Sequence, residues 1–253
     1  MDSVHPDDNE WPPDAAAPPA EWGYGQLSRL FTGDIHGAAA RDAPAALSRA
    51  CVDLMDVSGA SVSLYGDEDA RTLWWSSDDV AGRLAEAQYT LGDGPCRTAM
   101  RQAAPVMAPD LARAPDAWPF FVQQALDLGV RAVFCLPLST SGLAIGTLDL
   151  YRTTPGPLSE KDLALAFPAA DAITTALLAL QAHEGGGDSD SSWLDAAETD
   201  HEEVHQATGM IMVHLGVDPL DAMARLRAHA FSHGQTVTQA AFDVIAGRIR
   251  FHD

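Results

Sequence analysis

The chain reads as α+β: an N-terminal antiparallel sheet flanked by helices, followed by a C-terminal all-α bundle of three helices. Three observations predict this. Across residues 60–151 short apolar strands come in pairs joined by tight polar turns, which is hairpin spacing rather than the spacing of parallel crossovers. After residue 203, apolar residues recur at three and four with no alternating stretch. Between these regions lies Glu184-Gly185-Gly186-Gly187-Asp188-Ser189-Asp190-Ser191-Ser192, which is hydrated and carries too little buriable carbon to order itself. Four segments follow: an acidic, Pro-rich disordered tail over 1–21, a body over 22–183, a flexible acidic linker over 184–194, and a helical unit over 195–253.

Each element has its own signal. Residues 43–57 place Leu47, Cys51, Leu54 and Met55 on one helical stripe. Residues 60–65 alternate, with Val62 and Leu64 on one face, and residues 72–76 return as the second strand of a hairpin. The Gly-rich stretch 89–96 turns into a short helix over 97–102, and residues 105–108 form a short strand. A helix over 118–129 is stopped by Gly129. Strands 130–138 and 143–151 are joined across 139–142. Ser159, with Asp162 at the third position, opens the last helix of the body; Leu163, Phe167, Ala170, Thr174, Leu177 and Leu178 are its expected inner face. In the small unit, Val204, Ala207, Ile211 and Leu215 line a helix closed by Gly216. Asp218-Pro219 starts a second helix, with Leu220, Met223, Leu226 and Ala230 on one side, ending near His233-Gly234. Thr236 and Gln239 form a capping box for a third, lined by Val237, Ala240, Ala241, Val244, Ile245 and Ile249.

Composition removes several function classes. Thirty-six acids against fifteen bases give a net charge of −21 over 253 residues, which argues against a general nucleic-acid coat or an anionic-membrane binder. The charge is uneven: −6 over 1–21, −7 over 22–183, −8 over 184–203 and zero over 204–253. Three widely spaced cysteines, with no C-x-x-C, fit a reducing cytoplasm better than a disulfide framework or a Cys-rich zinc site. The start of the chain has no basic, apolar leader. The most apolar stretch, 163–180, contains Asp171, and a carboxylate at mid-span would cost ~2.5–3.5 kcal/mol on insertion, so no membrane span is expected. No Ser-His-Asp, Cys-His or clustered-carboxylate arrangement is present, and the chain is read as a non-enzyme that needs no cofactor. Asp67-Glu68-Asp69 reads as a solvated hairpin tip. His201 and His205 stand at i, i+4, and His214, His229 and His233 lie nearby in sequence, but no acid or Cys is fixed beside them and no metal site is expected.

Residues Leu91-Gly92-Asp93-Gly94-Pro95-Cys96, Pro105-Val106, Asp110-Leu111, Trp118-Pro119, Gly129-Val130, Pro137-Leu138 and Gly146-Thr147-Leu148 resemble, in order and spacing, a GAF domain of the form found in actinobacterial regulators, over roughly 43–180. The resemblance implies a sensor for a small, unidentified ligand. The Asn-Lys, Phe and Asp-Glu pattern of cyclic-nucleotide-binding members is missing, and no histidine lies between His36 and His183 to ligate haem. Cys96 opens a helix after a turn, and reads either as a redox or ligand sensor or as a small buried packing residue. Trp74, Trp75 and Trp118 are candidates for a small-molecule pocket or ordinary core.

His205-Gln206-Ala207-Thr208-Gly209-Met210-Ile211-Met212, then Leu215-Gly216-Val217, Leu226-Arg227-Ala228-His229-Ala230, Ala240-Ala241 and Val244 resemble an ANTAR domain, over about 195–251. That resemblance implies a homodimer that grips paired hairpins in leader RNA and so lets polymerase pass a terminator. Candidate RNA contacts are Arg225, Arg227, Arg248 and Arg250, with His205, Gln206, Thr208 and His229 as polar neighbours; Arg suits phosphate and base edges through its planar fork. Thr208 stands where the family often has Lys, and residues 204–253 are neutral with an acidic stretch ahead of them, so non-specific affinity is expected to be weak. The alternative is a regulator whose three-helix unit docks on a protein and never touches RNA.

Overall fold

The computed structural model describes residues 38–65, 71–113, 116–140, 143–184 and 201–252. The tail 1–21, the linker segment 185–194 and the Asp67-Glu68-Asp69 tip lie outside the described residues.

Five antiparallel strands form one sheet in the order β2-β1-β5-β4-β3. They are β1 (Gly59–Tyr65), β2 (Arg71–Ser76), β3 (Val106–Ala108), β4 (Ala132–Thr140) and β5 (Leu143–Arg152). The β4–β5 hairpin is the longest pairing, from Ala132 opposite Arg152 to Thr140 opposite Leu143. Alternation then sorts the side chains. One face carries Val62, Leu64, Phe134, Leu136, Leu138, Leu148 and Leu150, all buried under helices α1 (Ala38–Leu54) and α5 (Glu160–Glu184). The other carries Val133, Cys135 and Tyr151 beneath α2 (Asp79–Leu91), α3 (Pro95–Gln102) and α4 (Pro119–Asp127). This second face is also polar: Ser61, Ser63, Thr147 and Asp149 are buried on it. Gly146 lets β5 pass close to β1, since a Cβ there would press on the Ser63 carbonyl.

The strands match the sequence-derived ones to within two residues, but the helices differ in three ways. First, α1 begins at Ala38, five residues before the expected start. Second, α2 has no counterpart in the sequence-derived order. Asp78 caps it by accepting the Ala81 N–H at 2.9 Å, and Gly92 ends it at φ 65°. Third, the inner face of α5 is only partly the expected one. Ala170, Thr174 and Leu177 are buried as expected, together with Leu165, Ala166, Ala169, Ile173 and Ala176, whereas Leu163 and Leu178 are half-buried and Phe167 is 45% exposed. Small Ala residues make the seam because α1 and α5 pack directly on each other. This helix is long and apolar enough by composition to cross a membrane, but half of its apolar window is buried inside the fold, as a core helix requires.

The C-terminal unit is three helices: α6 (Glu202–Leu215), α7 (Pro219–Ser232) and α8 (Val237–Ile245). Val204, Ala207, Ile211, Ala222, Leu226, Ala230, Val237, Ala240, Ala241 and Val244 form its core. The Asp218 cap and the Thr236/Gln239 capping box stand as read from the sequence.

The start of α5 ties the fold together. Ser159 Oγ accepts the Asp162 N–H at 3.1 Å and donates to Asp162 Oδ2 at 2.7 Å, while Asp162 Oδ1 takes the Asp56 N–H at 3.2 Å. Ser159→Ala is expected to cost about 1–2 kcal/mol, seen as a lower urea midpoint with an unchanged slope.

Candidate nucleic-acid interface

The four candidate arginines do not share one surface. Arg225 and Arg227 are two residues apart on α7, about 200° around its axis, so they point to opposite sides. Arg225 is exposed. Arg227 is half-buried, its guanidinium carbon 5.9 Å from the centroid of the Tyr89 ring on α2 and its head packed against Gly92. Arg248, 63% exposed, is ion-paired with Asp243 through Nε at 2.6 Å. Arg250 is exposed beyond α8.

The polar candidates on α6 also divide. His205 and Gln206 are exposed, whereas Thr208 is half-buried and donates to the Val204 carbonyl at 2.7 Å, with Met223 Sδ at 3.8 Å. His201 and His205 do not form a helical pair. His201 is the non-helical cap of α6, and its ring stacks on Tyr89 at 4.0 Å. Among the described residues no group of His, Cys, Asp and Glu is placed to hold a metal ion.

Tyr89 is the centre of a contact between the sheet domain and the three-helix unit. Its ring is buried in the helical unit's core cluster, between His201 and Arg227. Beside it, Thr90 Oγ1 accepts the Val237 N–H at 3.0 Å, which satisfies one of the orphan donors at the start of α8. Thr238 donates to Glu86 at 3.4 Å, and that carboxylate sits at the positive end of the α8 dipole. Phe120 of α4 meets Phe231 of α7 edge-on at 4.6 Å. Two clefts of about 370 and 360 Å³ flank the contact, so it is not filled like a core.

The sensor candidates lie on different sides of the sheet. Trp74 and Trp75 pack with the α1–α5 layer, and Trp118 with the α2–α4 layer, so the structure does not bring them into one pocket. Trp118 borders a 680 Å³ cleft with Met107, Pro109, Asp110, Arg113 and Pro157, donates from Nε1 to Thr98 at 3.0 Å, and holds an unusual φ of 134°. Cys96 is fully buried at the start of α3. Its N–H donates to Gln88 Oε1 at 2.8 Å, and Tyr65 donates its hydroxyl proton toward Sγ at 3.4 Å. Nearby on the polar sheet face, the buried Thr147 hydroxyl has no hydrogen-bond partner among the described residues. Cys51, by contrast, is a core thiol that burial pushes up to about 12.

With this geometry in place, comparison with known proteins accounts for both halves. Residues 40–178 match the GAF domain family and residues 194–245 the ANTAR domain. The chain belongs to the GAF domain family and carries an ANTAR domain. No curated protein matches it. Among solved structures, the GAF domain of an Acinetobacter phosphoenolpyruvate-protein phosphotransferase is 12% identical, with TM-score 0.50, covering 67% of this chain and 98% of its own. The GAF domain of the Coxiella burnetii phosphoenolpyruvate-protein phosphotransferase is also 12% identical, with TM-score 0.50, covering 66% and 98%. At such identity the likeness is one of fold.

The residues the sequence reading missed are those of α2: Glu86, Gln88, Tyr89 and Thr90. The signal was present in Asp78, a good cap, thirteen helical residues and the Gly92 stop. His229 was named from the sequence, but not its ring contacts: it stacks on His233 at 4.0 Å and meets Phe251 edge-on at 5.5 Å.

Burial, and then His233, hold His229 below its ordinary value of 6.5, against a smaller opposing pull from Asp243. The folded protein therefore resists a proton that the unfolded chain accepts, and His229 costs stability as pH falls through the region below 6.5. Asp243 is held below its ordinary value by bonds from Arg248 and Gln235, and loses its contribution only in strong acid. Melting curves at about pH 7.5 and about pH 5.5 should show a fall in Tm for the wild type that is smaller in His229→Phe.

Proposed function

We propose that this chain is a transcription antitermination regulator of the actinobacterial kind. Its ANTAR domain binds paired hairpins in leader RNA as a homodimer in the cytoplasm, and its GAF domain gates that binding in response to a small ligand. The observation that carries the reading is the hold of the GAF helix α2 on the ANTAR domain, with Arg227 over Tyr89. An arginine spent on a sensor domain is withheld from phosphate, and its release adds a cation to a domain that has few.

The sensor has a short route to that hold. Gln88 accepts the Cys96 N–H, and Tyr89 and Thr90 follow it directly on α2. A ligand seated against Cys96 and Thr147 on the polar sheet face would shift the α2–α3 turn and with it the two residues that grip α7 and α8. Val213 and Leu220 are 83% and 78% exposed, apolar surface that a second copy would cover, and this supports the homodimer. The same apolar surface on a neutral unit is what favours the second reading, docking on another protein.

Gel shifts with paired-hairpin leader RNA separate the readings. Relative to wild type, Tyr89→Ala should bind tighter, by roughly 5–150-fold if the coupling is of ordinary size. Arg225→Ala/Arg227→Ala should bind more weakly, with a salt slope lower by about one per lost phosphate contact. Equal binding by all three, or by none, sinks the RNA reading, and native mass spectrometry at micromolar protein checks the dimer.

A further inference from the structure

α7 presents to solvent a face that the GAF domain leaves open. Arg225, His229 and His233 follow one another at intervals of four residues and so share that face. His229 and His233 are stacked, with centroids 4.0 Å apart and planes 21° from parallel. The second ring is fixed by contacts of Nδ1 with the His229 carbonyl at 2.9 Å and with Ser232 Oγ at 3.0 Å. Phe251, from the segment after α8, closes against His229 edge-on. Behind them Asp243 takes Gln235 Nε2 at 3.0 Å and anchors Arg248, whose guanidinium remains largely exposed. Arg250 is exposed next to Phe251. Two near-parallel rings and an edge-on phenyl thus lie on the face that carries Arg225, with Arg248 held on Asp243 behind them and Arg250 next to Phe251 in the chain; these are three of the four cations in residues 204–253.

This combination has a chemical meaning. Stacked imidazoles with an exposed outer face add little to a helix that its Ala222, Leu226 and Ala230 seam already holds. They offer what an unpaired base requires: a flat π surface, with planar cations beside it for the flanking phosphates. We infer that, given the RNA-binding role proposed for this domain, His229, His233 and Phe251 form a platform on which one unpaired base of a hairpin loop stacks, with Arg225, Arg248 and Arg250 holding the phosphates on either side. Asp243 is a positioning residue, since it sets Arg248 and Gln235 and touches no RNA itself. His229 is held below its ordinary value by burial, which favours the neutral ring and with it stacking against a base over contact with a bare phosphate. Arg227, on the other side of α7, is no part of it.

The test uses the full chain, as wild type and as Tyr89→Ala, on RNA hairpins selected from a pool with randomised loops. Each is compared with His229→Ala/His233→Ala and with His229→Phe/His233→Phe. The alanine pair should lose about tenfold in affinity, and the phenylalanine pair, which keeps two flat rings, should regain most of it and shows that the fold survives. Removing a single loop base from the RNA should weaken the parent protein to the same degree and the alanine pair no further. Arg250→Ala should instead lower the salt slope for every hairpin. Parent-like affinity in the alanine pair overturns the platform and leaves the patch to a protein partner, as do losses that add at every loop position. Retention of no hairpin by either parent overturns the RNA reading itself, and the platform with it.

Discussion

Helix α2 is shared by two cores, and the arrangement of the molecule depends on that. Ala81, Leu84 and Ala87 belong to the cluster under the GAF sheet, while Tyr89 belongs to the cluster inside the ANTAR bundle. A helix whose residues are divided in this way cannot move relative to one domain without disturbing the other. Each bond across the boundary is modest. A backbone N–H to a hydroxyl contributes ~0.5–1.5 kcal/mol net, an aromatic pair ~0.5–1.5, and a partly exposed guanidinium over a ring ~0.5–1. Two clefts flank the contact and leave it incompletely packed.

Charge gives this weak contact its leverage. The ANTAR part carries four arginines and four acids over 204–253. Of the arginines, Arg227 is engaged by the GAF domain and Arg248 by Asp243. Each phosphate neutralised contributes through counterion release, so in a domain with so few cations the state of one of them changes affinity by a larger fraction than it would on a strongly basic surface. A neutral unit also has little attraction for non-specific nucleic acid, which leaves discrimination to shape and stacking.

Most of the sheet domain was legible because its strands alternate and its turns are polar, as Val62/Leu64 and the 139–142 turn illustrate. The three ANTAR helices were legible through their caps. The failures share a cause. α2 carries a stripe of Val80, Leu84, Ala87 and Leu91 that was overlooked, and its further burial at Gln88, Tyr89 and Thr90 comes from a second domain that local periodicity does not report. Phe167 was read into the α5 seam because it is large, yet helix-on-helix approach favours the small Ala166 and Ala169. The candidate site was only partly legible for the same reason. The four arginines can be found in a sequence, but whether each faces solvent, an acid or another domain is decided by residues such as Tyr89, more than a hundred positions away.

The opposition of Arg225 and Arg227 on α7 has a consequence for how gating works. A sensor that covered the whole RNA-facing side would act as an on–off lid, and RNA would have to wait for complete separation of the domains. Here the covered side carries Arg227, while Arg225 on the opposite side of α7 is exposed and His229 beside it is half-buried. On the proposed function, RNA would meet the open side first, at low affinity. If binding on one side of α7 is coupled to docking on the other, RNA engagement and release of Tyr89 favour each other by the same factor. RNA would then help to open the contact, and a ligand on the GAF domain would only have to tilt that balance.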